Sequence, residues 1–168
     1  MTVGKTGKAE TALVVGVGEF KVTRHESAVL VTYALGSCMG VTAYDRKSGV
    51  GGLLHFKLPH SDLNQQMATE QPGVFGDTGL KSFLEQLFSF GATRPNLDIK
   101  LAGGSKSMGS SDFFNIGERN LLLARRFLWM NGLIVSKEDT GGGDYRTVRL
   151  EMATGRVTVK DPRGTYEI

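Results

Sequence analysis

The chain has 168 residues, 40% of them apolar and 22% charged, the make-up of a soluble globule large enough to bury its own core. Its 20 basic and 17 acidic residues leave a net charge of +3 with no basic block, which argues against nucleic acid and mildly favours an acidic partner surface. The single cysteine cannot close an internal disulfide, which fits a reducing compartment, and no apolar run approaches the roughly 20 residues that span a bilayer.

Residues 1–11, MTVGKTGKAET, are polar and read as a loose tail, not a signal peptide. The expectation is one cytoplasmic domain over residues 1–168, without membrane insertion. Residues 13–20 are rich in β-formers and give the first strand. Gly16 and Gly18 resemble part of a dinucleotide fingerprint, but the third glycine and the following helix are missing. Residues 28–33 form a short second strand that leads to Cys38. Residues 40–44 alternate, residues 45–49 are turn chemistry, and residues 50–58 read as a return strand.

Residues 60–76 read as a polar loop containing Pro72, either a flap or a binding segment. A helix follows over 77–90, capped by Asp77, with Leu80, Phe83, Leu84 and Leu87 inward and Gly91 as the stop. A strand over 97–102 runs into Gly103-Gly104-Ser105. After a polar loop, Asn115 and Glu118 have the spacing of a capping box. The helix they start is expected to run to about Asn131, with Ile116, Leu123, Phe127 and Met130 inward. Residues 133–135 form a strand and 140–143 a glycine loop. Residues 145–152 and 156–160 make a terminal hairpin, and Asp161-Pro162 ends regular structure. Strands outnumber helices and βαβ alternation is absent. The expected class is therefore α+β, with mixed or antiparallel sheets packed like a sandwich and flanked by two main helices.

The hairpin over 40–58 brings the one cysteine near a histidine. One register, with Asp45 opposite Val50, sets Cys38 opposite Lys57. A tighter two-residue loop sets Cys38 opposite His55. Either way the thiol and imidazole are direct or diagonal neighbours, roughly 5–8 Å apart at Cβ. A lone cysteine is often inert packing, but Cys38 follows the permissive bend Gly36-Ser37 and faces an imidazole, the pairing of nucleophile and base used in covalent catalysis. Leu54, Phe56 and Leu58 make the better core face, so His55, on the side of Leu53 and Lys57, is expected on the more accessible one. A third group should fix the imidazole. Thr32, Asp45, Glu138 and Asp139 are candidates. His25, His55 and His60 with one cysteine form no recognisable zinc pattern, and no phosphate-binding loop occurs. No metal and no cofactor are expected.

These residues carry a resemblance. Residues 35–45, LGSCMGVTAYD, and 49–59, GVGGLLHFKLP, are similar to blocks of the CheD family of chemoreceptor glutamine deamidases. Residues 100–105, 115–120 and 138–142, with Arg146, Thr154 and Gly155, continue the likeness over most of the chain. The resemblance implies hydrolysis of glutamine side chains on the cytoplasmic helices of methyl-accepting chemotaxis receptors, giving glutamate and ammonia. It implies Cys38, His55 and Thr32 as the catalytic residues. Gly36, Ser37, Gly103 and Gly104 are then candidates for substrate or oxyanion contact. It also implies a fold similar to a deamidating bacterial toxin, and the phosphatase CheC as a further partner. Two departures are Ser105, where alanine is common, and Tyr145, which would narrow or re-aim a substrate groove.

Overall fold

The computed structural model describes residues 9–106 and 115–168. Two five-stranded sheets carry the fold, in the orders β1-β3-β8-β9-β10 and β2-β5-β4-β6-β7. The strands are β1 (Thr11–Val14), β2 (Glu19–Thr23), β3 (Ala28–Leu35), β4 (Met39–Asp45), β5 (Val50–Phe56), β6 (Leu97–Gly103), β7 (Val135–Thr140), β8 (Arg146–Glu151), β9 (Val157–Asp161) and β10 (Gly164–Glu167). The β1–β3 and β6–β7 pairs are parallel and the others antiparallel. Among the described residues there are three α-helices: α1 (Gln65–Glu70), α2 (Gly76–Ser89) and α3 (Ile116–Met130).

Two apolar clusters explain the layering. Leu30, Leu35, Leu53, Ala102, Val148, Leu150 and Val159 come from both sheets and fill the space between them. Val41, Leu54, Phe56, Ile99 and Leu101 lie on the opposite face of the second sheet and meet Leu80, Phe83 and Leu87 of α2 and Ala124 and Leu128 of α3. The second sheet is thus covered on both sides, and every residue of β4 and β5 is buried.

The hairpin register is set by its turn. Asp45 Oδ1 accepts from the N–H groups of Lys47 and Ser48 at 2.9 and 3.1 Å, the Gly49 N–H donates to Asp45 O at 2.9 Å, and Gly49 takes φ +69°. Such an Asx-type turn with a left-handed residue closes a four-residue loop. It pairs Asp45 with Val50 and Gly40 with His55, so the register that sets Cys38 opposite Lys57 is the one adopted.

Several sequence expectations change. The strand expected over 13–20 is split by a turn at Val17-Gly18, where Gly18 has φ +78°, and its halves join different sheets. Residues 60–76 are not a loop: they hold α1 and two short 3-10 turns. Only Ala68 of α1 is buried, so no apolar period announces it. Asp77 is not the cap of α2 but lies in its first turn, where its carboxylate accepts from Ser61 N and Oγ at 3.0 and 2.9 Å. The capping box at α3 does not form, since the Asn115 side chain meets Glu118 instead of the backbone. The fully buried residues of α3 are Gly117, Asn120, Ala124 and Leu128; the expected Leu123 and Phe127 pack partly buried against the core, while Met130 is 66% exposed. Close approach explains this: a Cβ on Gly117 would come within 2.7 Å of Gly104, so small residues take the inner stripe. The strand expected at 133–135 begins only at Val135. Regular structure also continues past Pro162, which sits in the turn between β9 and β10. The tail expected over residues 1–11 and the loop before Asn115 lie mostly outside the described residues.

Gly52 of β5 is wedged between α2 and β2: a Cβ there would lie 2.6 Å from Phe83 and 2.9 Å from the Lys21 carbonyl. Gly52→Ala is expected to destabilise the fold by about 1–3 kcal/mol through overpacking. Denaturant unfolding measures it, and an unchanged midpoint would show that the strand and ring give way at no cost.

Candidate active site

The bend of residues 36–38 joins β3 to β4 and so passes from one sheet to the other. Two of its carbonyls are held from behind by backbone. The Gly104 N–H donates to Cys38 O and the Ser105 N–H to Gly36 O, both at 2.9 Å. Gly103, at φ +108°, leaves no room for a Cβ against the Cys38 carbonyl. The Gly104 N–H is therefore not available as an oxyanion donor; the glycine pair serves as the seat of the cysteine bend. The N–H groups of Ser37 and Cys38 donate to no other residue among the described residues.

His55 lies on β5 directly opposite Gly40. It faces the first sheet, with 0% exposure; the accessible strand face expected for it does not exist, because both faces of β5 are covered. Cys38 is half-buried at the edge of the same inter-sheet cluster. Gly40 between them in register carries no side chain, and a Cβ there would strike Leu35 at 2.8 Å.

Thr32 of β3 reaches across from the other sheet. Its Oγ1 lies 2.7 Å from His55 Nδ1 and 2.6 Å from Val15 O. A carbonyl can only accept, so the one hydroxyl hydrogen goes to Val15. The hydroxyl oxygen must then accept from Nδ1–H, which fixes the imidazole as the Nδ1–H tautomer and leaves Nε2 as a bare base. That Nε2 is one of two buried side-chain atoms without a hydrogen-bond partner among the described residues. Just beyond Thr32 a bulge shifts the β3–β8 register, and Ala34 takes φ +56°. Bulges of this kind re-aim a strand beside a site; here it sends Tyr33 outward and turns the chain toward Gly36.

Three carboxylates considered for the third role are engaged elsewhere. Asp45 builds the hairpin turn and also accepts from Thr93 N at 3.0 Å. Burial pushes its carboxyl up, but the N–H donors outweigh it and hold it below its ordinary value. Glu138 pairs with Arg125, and Asp139 pairs with the buried Arg146. Arg146 also donates to Ser105 Oγ at 2.8 Å and Gly141 O at 2.9 Å, which ties together the loops behind the cysteine bend. Ser105 in turn donates to Asp144 O at 2.7 Å, so the serine that departs from the family pattern closes this network. Tyr145 is 71% exposed, yet its ring lies against Gly36, beside the cysteine.

Sequence reasoning missed Asn120. It is fully buried on α3, and its Nδ2 donates to Ser37 O and Lys57 O, both at 2.9 Å. Its Oδ1 is the second orphan atom. A polar amide three residues after Gly117 and four before Ala124, on a stripe of small residues, is the signal that marks it.

Burial sets the electrostatics. It raises the Cys38 thiol, an effect only partly offset by the Lys57 charge and by the residue's own N–H. It lowers His55 from 6.5 to about 4. Near neutral pH the site therefore holds a neutral thiol and a neutral imidazole, suited to general-base activation of the thiol and not to a standing ion pair.

Residues 57–161 match the family model described as CheD chemotactic sensory transduction. The probable chemoreceptor glutamine deamidase CheD 1 of Syntrophus aciditrophicus (strain SB) is 43% identical over 152 residues, covering 90% of this chain and 95% of its own. The probable chemoreceptor glutamine deamidase CheD of Solibacter usitatus (strain Ellin6076) is 41% identical over 149 residues, 89% of this chain and 88% of its own. Among solved structures, the crystal structure of a Neisseria meningitidis protein of family model DUF152 is similar with a TM-score of 0.42 and 13% identity, over 80% of this chain and 63% of that one.

The lowered His55 value has a stability consequence. Unfolded, this imidazole protonates near 6.5; folded, it stays neutral down to about 4. Between those values the unfolded chain binds the extra proton, so stability falls as pH falls, by up to about 3 kcal/mol from this group. His55→Gln should flatten the stability profile over that window. Denaturant unfolding at a series of pH values measures it, and an unaltered slope would show that His55 is not held neutral.

Proposed function

The chain belongs to the CheD family, and on that footing we propose that it hydrolyses selected glutamine side chains of chemotaxis receptors to glutamate and ammonia. The observation that carries the reading is the hydrogen bond from His55 to Thr32, which leaves Nε2 without a partner at the strand position opposite Gly40, two residues beyond Cys38. In the first step His55 Nε2 takes the thiol proton as Sγ attacks the glutamine carbonyl carbon. The S–C bond forms and the carbonyl π pair moves to oxygen, which accepts from the N–H groups of Ser37 and Cys38. Collapse breaks the C–N bond, and the departing nitrogen takes the proton back from His55 as ammonia. Water then adds to the thioester with His55 as base, and the thiol leaves with that proton.

Thr32 acts through His55, by holding the ring in the one tautomer that can accept the thiol proton. The substrate glutamine sits on a helix, so a groove must receive a helical rod. The exposed Tyr33 and Tyr145 rings and the Lys57 side chain border the bend and form its candidate walls. A cytoplasmic location follows from the receptor face that carries such helices. No helix among the described residues is long and apolar enough to cross a membrane. A second role, docking on the phosphatase CheC, is supported by exposed Leu122, Trp129 and Met130 on α3, since apolar surface of this kind serves partner binding.

Incubation with a glutamine-containing receptor fragment should add about 1 Da per modified site by mass spectrometry, and Cys38→Ala should abolish the change while retaining binding. Thr32→Val should lower kcat about 100-fold through a misdirected ring. Full activity in Cys38→Ala would sink the covalent mechanism.

A further inference from the structure

The Ser37 carbonyl and the Cys38 N–H belong to one planar peptide unit, in which they point in opposite directions. Asn120 grips that carbonyl at 2.9 Å from the α3 side. The Cys38 N–H is thereby turned away from α3, where it donates to no other residue among the described residues. It lies instead beside its own sulfur, and it is one of the groups that ease the ionisation of that thiol. The second Nδ2 hydrogen goes to Lys57 O at 2.9 Å, two residues beyond His55, so one side chain links the nucleophile's bend to the strand that carries the base. The amide cannot be flipped, because Oδ1 would then face two carbonyl acceptors. Its orientation leaves Oδ1 buried without a partner. An apolar residue of equal size would leave the Ser37 and Lys57 carbonyls without this donor, so support of the two carbonyls is the alternative that the experiment must separate from positioning.

We propose that Asn120 is a positioning residue for acyl transfer at Cys38, which aims the Cys38 N–H at the point where the substrate carbonyl oxygen becomes an oxyanion. Donation to the Ser37 carbonyl also polarises the shared peptide and strengthens the N–H as a donor. The inference rests on the thioester reading of the site, and it concerns only the step in which the S–C bond forms and the carbonyl π pair moves to oxygen.

Two reagents separate this role from mere support of the loop. p-Nitrophenyl acetate acylates Cys38 through a tetrahedral oxyanion and releases p-nitrophenolate. Iodoacetamide alkylates the same sulfur by displacing iodide, with no oxyanion. In Asn120→Leu and Asn120→Ala, folded by circular dichroism, acylation should slow about 10- to 100-fold, with alkylation within about threefold of the parent. Equal loss of both rates, no loss of either, or loss of the fold in both variants would overturn the proposal. Should the variants show this split while the parent leaves a receptor fragment unchanged, the positioning role stands and the receptor assignment falls.

Discussion

One hydrogen bond between two sheets, from His55 on β5 to Thr32 on β3, is what the site depends on. Neither strand alone carries the chemistry. The first sheet supplies the acceptor and, through Val15, the reason that acceptor has no proton to spare. The second supplies the ring. The apolar cluster between the sheets brings Leu30, Leu53 and Val148 together, so the same burial that stabilises the sandwich assembles the pair. A buried imidazole without that acceptor would leave Nδ1–H unsatisfied, a cost of order 1–3 kcal/mol, and the ring would be free to turn.

The same burial explains the ionisation state. In water a thiol and an imidazole, with ordinary values of about 8.5 and 6.5, each carry a minor charged fraction near neutral pH. Here desolvation disfavours charge on both, raising one and lowering the other, so both rest neutral. Separating charge is then costly until a substrate carbonyl supplies a place for the negative charge to go. A neutral resting thiol also gives oxidants and stray electrophiles little thiolate to meet. The arrangement trades standing reactivity for reactivity linked to the carbonyl that is bound.

Much of this was legible in the residues, and the gaps have physical causes. The hairpin was visible because residues 45–49 carry turn chemistry, and α2 because Leu80, Phe83, Leu84 and Leu87 follow the helical period. The register stayed open until Asp45 was seen to cap its own turn. The side of His55, shared with Leu53 and opposite Leu54 and Phe56, is legible, but its accessibility is not, because period-two alternation implies a wet face only when one exists, and β5 has none. The α3 stripe is read in part: Leu123 and Phe127 do pack against the core, but close approach of Gly117 to Gly104 and Ser105 sets Gly117, Asn120, Ala124 and Leu128 innermost and leaves Met130 exposed. Thr32 was one candidate among several from the residues, singled out by family likeness, because a contact across two sheets leaves no spacing to read.

The bend of residues 36–38 shows how accuracy is obtained without bulky support. Side chains on every supporting position would hold the sulfur at arm's length through several rotatable bonds, each with its own spread. Here Gly103, Gly104 and Gly117 let backbone meet backbone, and carbonyls of the bend accept directly from peptide N–H groups and one buried amide. Peptide groups have no rotamers, so error does not accumulate along a side chain. Arg146 then locks the loops behind them by bonding Ser105, Asp139 and Gly141 at once. The proposed reaction at a carbonyl tolerates little misplacement, and a thiol at the junction of two sheets, seated on backbone, meets that demand where a thiol on a free loop would not.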